Sequence, residues 1–263
     1  MIGFKHLIYH LPQDLRRSIF ARIKPKLFEY WQNKRHIDTK TGSSYMPFDI
    51  HRCLYFHIPK TAGIAINRSL FGNKGGDHSN IRIYQYLLSK AEFDSYYKFT
   101  FVRNPWDRVF SAYNFLIGGG MNQSDQDWAD KHLKQYQGFN DFVVSGLTQP
   151  HVQKWIHFIP QVNFLYLPTD SRFHLNFLGF YENLNQDFAI VAKQLGMDGC
   201  TLRKENVTSH AVGKNYREFY SDESIETVAQ IYRSDIKTFG YDFDSNTLDE
   251  QISMREGGSL SRQ

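Results

Sequence analysis

Cysteine is scarce in this sequence: Cys53 and Cys200 are the only two in 263 residues. One lies in an apolar segment and the other in a late polar loop, so neither a disulfide framework nor a metal site is indicated. The sequence also lacks a run of about 18 apolar residues and a signal peptide at its N-terminus. These absences exclude a disulfide-stabilised secreted fold, fit a reducing compartment and predict no membrane-spanning helix.

Neither sign of charge is in large excess. The net charge is +4 and the pI is about 8.9, and no stripe of Lys and Arg dominates, so nucleic acid is not expected as a partner. The 41% hydrophobic and 16% aromatic content is typical of a globular protein. We divide the chain into an N-terminal basic helical segment and linker (1–49), one α/β domain (50–243) and a polar tail (244–263) expected to be disordered.

The N-terminal segment carries apolar residues at helical spacing among several Arg and Lys residues: Leu15, Ile19, Ile23 and Leu27. This pattern predicts a basic amphipathic helix, which Pro25 breaks late. Such a helix could contact a membrane surface or an acidic partner, or lie on the domain with its basic face in solvent. We favour the second arrangement and keep peripheral membrane contact as the alternative.

A loop between an apolar strand and a short helix is the first candidate site. The strand is predicted over Cys53–Ile58, and Pro59 ends its ladder pairing because proline lacks a backbone donor. Lys60 and Thr61 then lie in the loop, and Gly63 permits close approach of a ligand. The backbone N–H groups of a helix N-terminus and a lysine favour a phosphate-like anion. Walker A spacing is absent, which counts against an ordinary kinase.

A second strand and helix repeat this arrangement. Alternating aromatic residues predict a strand over Tyr97–Phe101, and Asn104-Pro105 provides an N-cap and a proline at the first helical position. Arg103 lies at the end of the strand, and Ser111 follows eight residues later, about two helical turns into the helix. Open α/β sheets bind ligands at this edge, so the lysine and the arginine could face one nucleotide.

These two segments resemble motifs of a known family. HIPKTAG (57–63) resembles the 5′-phosphosulfate loop, and FVRNPWDRVFSAY (101–113) the 3′-phosphate motif, of carbohydrate sulfotransferases of the type that includes heparan sulfate 2-O-sulfotransferase and the chondroitin and HNK-1 enzymes. Later segments resemble the family's remaining motifs in the same order: His157–Gln161, Gly179–Leu184, and Tyr232, Asp235 and Phe239–Tyr241. The resemblance covers about residues 50–243 and, since five motifs keep their order, is specific.

The resemblance implies a P-loop-like α/β fold with a central parallel sheet flanked by helices. It also implies an enzyme that moves a sulfuryl group from 3′-phosphoadenosine 5′-phosphosulfate (PAPS) to a hydroxyl of a carbohydrate or glycoconjugate, with no metal. The residues it implies as donor ligands are Lys60, Thr61, Ala62, Gly63, Arg103 and Ser111. Lys60 is also expected to be catalytic, since it can neutralise charge on the departing phosphate.

A base must take the proton of the acceptor hydroxyl. His78 lies in a Gly-rich loop between the two phosphate motifs, where the family places its catalytic histidine, and is the predicted base. His57 and His157 are the competing candidates, and His57 is the more typical of a buried structural residue because it continues an apolar run.

Other expectations stay open at this stage. The family's Golgi members carry a transmembrane anchor ahead of the domain, and its absence here points to a bacterial or otherwise cytoplasmic enzyme. A late basic loop closes over the nucleotide in the wider class, so Arg203, Lys204 and Lys214 are candidates for that contact. Two rival functions remain: a non-catalytic PAP- or glycan-binding protein, which needs no base, and a nucleotide-dependent kinase, which needs a Walker-type loop.

Overall fold

A three-stranded parallel sheet lies at the centre of the computed structural model, which describes residues 8–170, 172–203 and 215–258. The strands are β1 (Cys53–Phe56), β2 (Tyr97–Val102) and β3 (Phe177–Phe180), with β2 between the other two. β1 pairs with the start of β2, from Cys53 opposite Tyr97, and β3 with its end, up to Phe180 opposite Val102. The three strands therefore end at one edge of the sheet, and the predicted α/β fold with a central parallel sheet is confirmed.

Helices connect the strands and cover the sheet. The α-helices of the described residues are α1 (Gln13–Ile23), α2 (Pro25–Asn33), α3 (Met46–Ile50), α4 (Gly63–Phe71), α5 (Ile81–Leu87), α6 (Lys90–Ser95), α7 (Pro105–Ile117), α8 (Gln123–His132), α9 (Phe139–Asp141), α10 (Pro150–Gln153), α11 (Val162–Leu165), α12 (Leu184–Gln194), α13 (Asp222–Ile231), α14 (Arg233–Phe239) and α15 (Leu248–Glu256). Short 3₁₀ helices span Ile8–His10, Tyr181–Asn183 and Tyr216–Phe219, and a π-helix spans Phe142–Gly146. None of these helices has the length and apolar character needed to cross a membrane.

Helix α7 begins where the sequence predicts. The Asn104 side chain accepts a hydrogen bond from the Trp106 N–H at 3.0 Å, and Pro105 occupies the first helical position. One apolar face of α7 packs in a second core, beside the sheet core, which includes Trp106, Val109 and Phe110. The cap and the buried face fix where Arg103 leaves β2 and where Ser111 lies on α7.

One predicted strand is wrong. The apolar residues Val162, Phe164 and Leu165 predict a strand, but they form the single turn α11. The buried carboxylate of Asp235 accepts hydrogen bonds from the N–H groups of Gln161 and Val162 at 2.8 and 3.0 Å, which satisfies the start of this turn. A short apolar run is ambiguous between strand and helix, and here a carboxylate distant in sequence favours the helix.

The N-terminal segment is helical, but its apolar stripe does not pack on the domain. Leu15, Ile23 and Leu27 are 48%, 66% and 41% exposed, whereas the polar residues Gln13 and Arg16 are buried against the domain. Arg16 donates to the Gln85 side chain and Gln13 to the Leu88 carbonyl, at 2.8 and 3.2 Å. Helix α1 therefore lies on the domain, as in the favoured arrangement, but it is oriented by polar contacts and not by its apolar stripe, and one of its basic residues, Arg16, is buried.

The segments expected to be a linker and a disordered tail are also packed in part. Tyr45 and Phe48, in the linker sequence, are 3% and 2% exposed and belong to the sheet core. In the described part of the tail, α15 buries Gln251, which donates to the Phe239 carbonyl at 2.8 Å. Arg255 donates to the Asp187 carboxylate, also at 2.8 Å. Composition alone missed these contacts, because each depends on a few side chains within a polar sequence.

Candidate active site

A cavity of about 790 Å³ lies at the edge of the sheet where the three strands end. His57 lies immediately after β1, Arg103 after β2 and Tyr181 after β3, and all three side chains line the cavity. The other lining residues are Lys60, Ala62, Gly63, Ile64, Ala65, His78, Ser111, Phe115, Gly120, Met121, Asn122, Ser124, Asp125, Trp155, Ile156 and His157. The size and position are typical of a ligand site in a parallel α/β sheet.

The loop after β1 is held in an unusual conformation. Lys60 and Ala62 have φ values of 70° and 64°, in the left-handed region that residues with a Cβ rarely adopt. Gly63 begins α4, and a Cβ added there would lie 1.8 Å from Nε2 of His57. The glycine thus makes room for the His57 ring, and the loop turns sharply between strand and helix.

Thr61 does not present its hydroxyl to the cavity. Its side chain is fully buried and donates to the Ile58 carbonyl at 2.8 Å, so it stabilises the turn. The hydroxyl proton is thus engaged within the loop, and the role of Thr61 as a donor ligand stays a prediction.

The Lys60 ammonium lies against an aromatic ring. Its Nζ is 3.9 Å from the centre of the Phe115 ring. Burial, and next the nearby Arg103 guanidinium, lower the pKa of Lys60 to about 7. A bound anion would oppose both effects, so the charged form of this lysine is stabilised by anion binding.

Arg103 connects the two phosphate motifs. Its guanidinium donates to the Lys60 carbonyl at 3.0 Å and to the Asp107 carboxylate at 2.8 Å, and it lies 3.9 Å over the Tyr181 ring. Burial disfavours the charged form of Arg103, but the charge interactions with Asp107 and Tyr181 outweigh the effect of burial, so the pKa of Arg103 is raised. Ser111, eight residues further on, is 8% exposed and lines the same cavity.

Two of the later motifs hold the backbone at Arg103. Gln161 accepts a hydrogen bond from the Arg103 N–H at 2.9 Å and donates to the Arg103 carbonyl at 2.8 Å. Glu182 accepts from the Asn104 N–H at 2.7 Å. These contacts give the motifs His157–Gln161 and Gly179–Leu184 a positioning role, because they fix the peptide groups on both sides of Arg103.

His78 lies in the cavity with its tautomer fixed. Its Nδ1 is 3.2 Å from the His57 carbonyl oxygen. A carbonyl can only accept a hydrogen bond, so Nδ1 carries the proton and Nε2 has the free lone pair. Burial, and next His157, lower the pKa of His78 to about 4, so the ring is neutral at physiological pH. This arrangement makes Nε2 a proton acceptor.

His157 and Asp125 form a pair beside His78. His157 Nε2 lies 3.3 Å from the Asp125 carboxylate, and the centre of its ring lies 6.1 Å from that of His78. Burial lowers the pKa of His157 more than Asp125 raises it. Burial disfavours the Asp125 carboxylate, but hydrogen bonds from His157 and the Met121 N–H lower its pKa. Asp125 is thus charged and His157 neutral.

A family model described as "Sulfotransferase family" matches residues 44–242. The chain belongs to the sulfotransferase family. Carbohydrate sulfotransferase 11 of Rattus norvegicus is 23% identical over 247 residues, which cover 79% of this chain and 70% of the relative, and the Mus musculus protein has the same values. An uncharacterised protein of Archaeoglobus fulgidus is 31% identical over 113 residues, covering 42% of this chain and 76% of that protein. No solved structure matches.

Three remaining expectations concern the late basic loop of this sulfotransferase. Arg203 does not line the cavity described above but a second one of about 670 Å³, where Arg68 also lies. Lys204 and Lys214 fall outside the described residues.

Within the described ranges no group of three or more His, Cys, Asp or Glu side chains could hold a metal ion.

Proposed function

We propose that this sulfotransferase uses PAPS as the donor and a carbohydrate hydroxyl as the acceptor. One observation supports this most: the carboxyl ends of β1 and β2 bring Lys60 and Arg103 into a single cavity with His78, whose Nε2 is a free proton acceptor. The carbohydrate sulfotransferases among the relatives support the acceptor class.

The cavity residues fit an anionic nucleotide. Lys60 is buried against an aromatic ring, the Asp125 carboxylate offsets only part of the cost of burying its charge, and an anion would relieve that cost further. Arg103 and Ser111 would hold the 3′-phosphate, for which a planar guanidinium is well suited. Lys60 and the backbone N–H groups at Ala62 and Gly63 would hold the 5′-phosphosulfate at the N-terminus of α4.

The donor supplies a sulfuryl group attached to a phosphate leaving group. This chain's part is to orient the two reactants and to balance charge and protons. His78 Nε2 accepts the proton of the acceptor hydroxyl as the oxygen bonds to sulfur, and Lys60 neutralises the charge that develops on the departing phosphate oxygen. Asp107 and Tyr181 hold the Arg103 guanidinium in place, so the nucleotide end of the donor stays fixed.

A non-catalytic nucleotide-binding protein is the second candidate, and it would need no oriented base. The hydrogen bond that sets the His78 tautomer favours the enzyme. A kinase is disfavoured by the loop, in which Lys60 precedes Gly63 and Walker A spacing is absent.

The donor assignment predicts selective stabilisation by 3′-phosphoadenosine 5′-phosphate (PAP). PAP at about 100 times its Kd should stabilise the fold by about 2.7 kcal/mol, since it binds only the native state, and ATP should do so much less. Arg103→Ala should remove most of the PAP effect, whereas Arg233→Ala, at an exposed position of α14, should not. Thermal unfolding with each nucleotide measures this. Equal stabilisation by ATP and PAP would contradict the assignment.

The site also predicts an unusual pH profile. In the free enzyme, kcat/KM should rise through about pH 4 as His78 loses its proton, and fall above about pH 7 as Lys60 loses its charge. A bound anion raises the pKa of Lys60, so the fall in kcat should occur at higher pH. An ordinary histidine would instead place the acidic limb near its usual pKa of about 6.5. A kcat/KM that still rises between pH 6 and pH 8 would contradict this environment for His78.

We also propose that helix α1 contacts an anionic membrane surface, since Leu15 and Ile23 are exposed and exposed basic residues, Arg22 and Lys24 among them, lie nearby. Cosedimentation should show binding to phosphatidylserine vesicles and not to phosphatidylcholine vesicles. Ile23→Ser should weaken this binding and Ile190→Ser, at an exposed isoleucine of α12, should not. Equal binding to both vesicles, or none, would contradict the contact. The cytoplasmic location stays a prediction.

A further inference from the structure

The cavity has two chemically different ends. A series of contacts runs across it: Arg103 donates to the Lys60 carbonyl, Lys60 lies over the Phe115 ring, and Phe115 meets the His157 ring edge-on with centres 5.1 Å apart. His157 then pairs with Asp125. The nucleotide-binding groups thus lie at the first end and the Asp125–His157 pair at the other.

His78 stands next to this second end. Its ring centre is 6.1 Å from that of His157 and 4.3 Å from that of His57. A base must reach the proton that it removes, so the acceptor sugar has to lie on the His78 side of the transferred group. The wall that faces it consists of lining residues at and just before the start of α8 and of a second segment: Met121, Asn122, Ser124, Asp125, Trp155, Ile156 and His157. We name these residues the acceptor wall.

The acceptor wall carries no positive side chain among the residues that the structure describes. The Lys and Arg side chains that line the cavity are Lys60 and Arg103, which belong to the proposed donor site. Lys60 is near enough to Asp125 for that carboxylate to raise its pKa, and the bound donor would engage its charge. Among the described residues that line the cavity, Asp125 is the one with a carboxylate. It stays charged while its partner His157 stays neutral. The net charge of this wall is therefore negative, and a bound nucleotide adds further negative charge to the cavity.

The wall offers groups that suit a neutral sugar. Trp155 is partly exposed at the cavity, and its ring stacks on Trp128 with centres 4.9 Å apart and planes 12° apart. The stacked Trp128 ring holds the Trp155 ring in place. An aromatic ring fixed in this way suits contact with the apolar C–H face of a pyranose ring. Asn122 and Ser124, on the same wall, provide neutral polar side chains for hydroxyl groups.

We propose that the acceptor wall selects an uncharged sugar and discriminates against uronate-containing or already sulfated glycans. This inference rests on the proposed function, and it names the substrate class of the same site. Asp125 is the specificity residue: an anionic acceptor would bring a like charge next to its carboxylate with no basic side chain of the wall to offset it. At partly buried sites, one such repulsion is worth on the order of ten-fold in kcat/KM.

A pair of acceptors that differ only at the carboxyl group tests the proposal. An oligosaccharide of alternating glucuronate and N-acetylhexosamine is compared with its methyl ester, in which each carboxylate is neutralised and no hydroxyl is added. The wild-type protein should sulfate the esterified form with kcat/KM at least about ten-fold higher. Asp125→Asn should lower that ratio several-fold. Asp127→Asn removes the same charge from an exposed position on α8 and should leave the ratio unchanged.

Equal or faster sulfation of the glucuronate form by the wild type would overturn the proposal, as would an unchanged ratio in Asp125→Asn. If neither oligosaccharide is sulfated, calorimetry with the PAP complex compares them as ligands, and equal or tighter binding of the glucuronate form also overturns it. Failure of PAP to stabilise the protein would instead overturn the proposed function, whichever acceptor binds.

Discussion

Replacing His78 with alanine is expected to lower the rate of sulfuryl transfer by about 10²- to 10⁴-fold, the usual contribution of a general base. The physical reason is the hydrogen bond to the His57 carbonyl, which keeps the proton on Nδ1 and leaves Nε2 as the acceptor. His78 is not among the groups expected to hold the nucleotide, so PAP affinity should change little. Single-turnover transfer and PAP affinity, measured side by side, check both parts.

A matched variant separates loss of the base from loss of structure. In His78→Asn the side-chain amide can still donate to the His57 carbonyl, but it has no basic nitrogen, so transfer should be as slow as in the alanine variant. His157→Ala should be less impaired, since that histidine acts through its pair with Asp125. If both His78 variants turned over normally while His157→Ala lost transfer with PAP binding intact, the base would be His157.

Lys60→Met should lower kcat by about 10²- to 10³-fold, the effect of removing one preorganised group that stabilises developing charge. Methionine keeps an apolar stem against Phe115 but removes the ammonium, so packing is largely preserved. PAP binding should weaken less than kcat falls, because the charge on the leaving phosphate oxygen is greatest in the transition state.

The exposed lysine Lys154, close in sequence to the acceptor wall but outside the cavity lining, provides the control. Lys154→Met should keep wild-type kcat and PAP affinity. Steady-state kinetics with saturating PAPS, together with PAP titrations, distinguish the two effects. An unchanged kcat in Lys60→Met would mean that the loop after β1 does not stabilise the leaving group.

The sequence predicted those parts of the fold that are specified by residues close together in the chain. The strands at Cys53 and Tyr97 are aromatic runs that a proline or an N-cap ends, and the start of α7 follows from Asn104 and Pro105 alone. Because both strands are parallel, their ends had to meet, and Lys60 and Arg103 do line one cavity. The errors concern segments whose structure depends on distant partners, such as α11, which Asp235 caps.

In the candidate site, too, the sequence indicated residues that have a local signal and missed contacts between residues distant in the chain. His78 could be singled out by its place between two motifs, but its tautomer depends on a backbone carbonyl 21 residues earlier in the chain. Asp125 was missed because it lies in a polar helix, and its partner His157 is 32 residues away. Tyr181 and Phe115 were likewise missed as partners of Arg103 and Lys60, since aromatic residues are common throughout the sequence and only the fold places these two over the cations.

Transfer of label from PAPS that carries a radiolabelled sulfuryl group tests the central claim most directly. The protein is incubated with this donor and a panel of oligosaccharides, and the carbohydrate is then separated from the nucleotide. Label should appear in at least one oligosaccharide, with one PAP released for each group transferred, and His78→Asn should slow its appearance by about 10²- to 10⁴-fold. A protein that binds PAP but leaves all label in PAPS or inorganic sulfate, with every oligosaccharide tried, would contradict the assignment of this chain as a carbohydrate sulfotransferase.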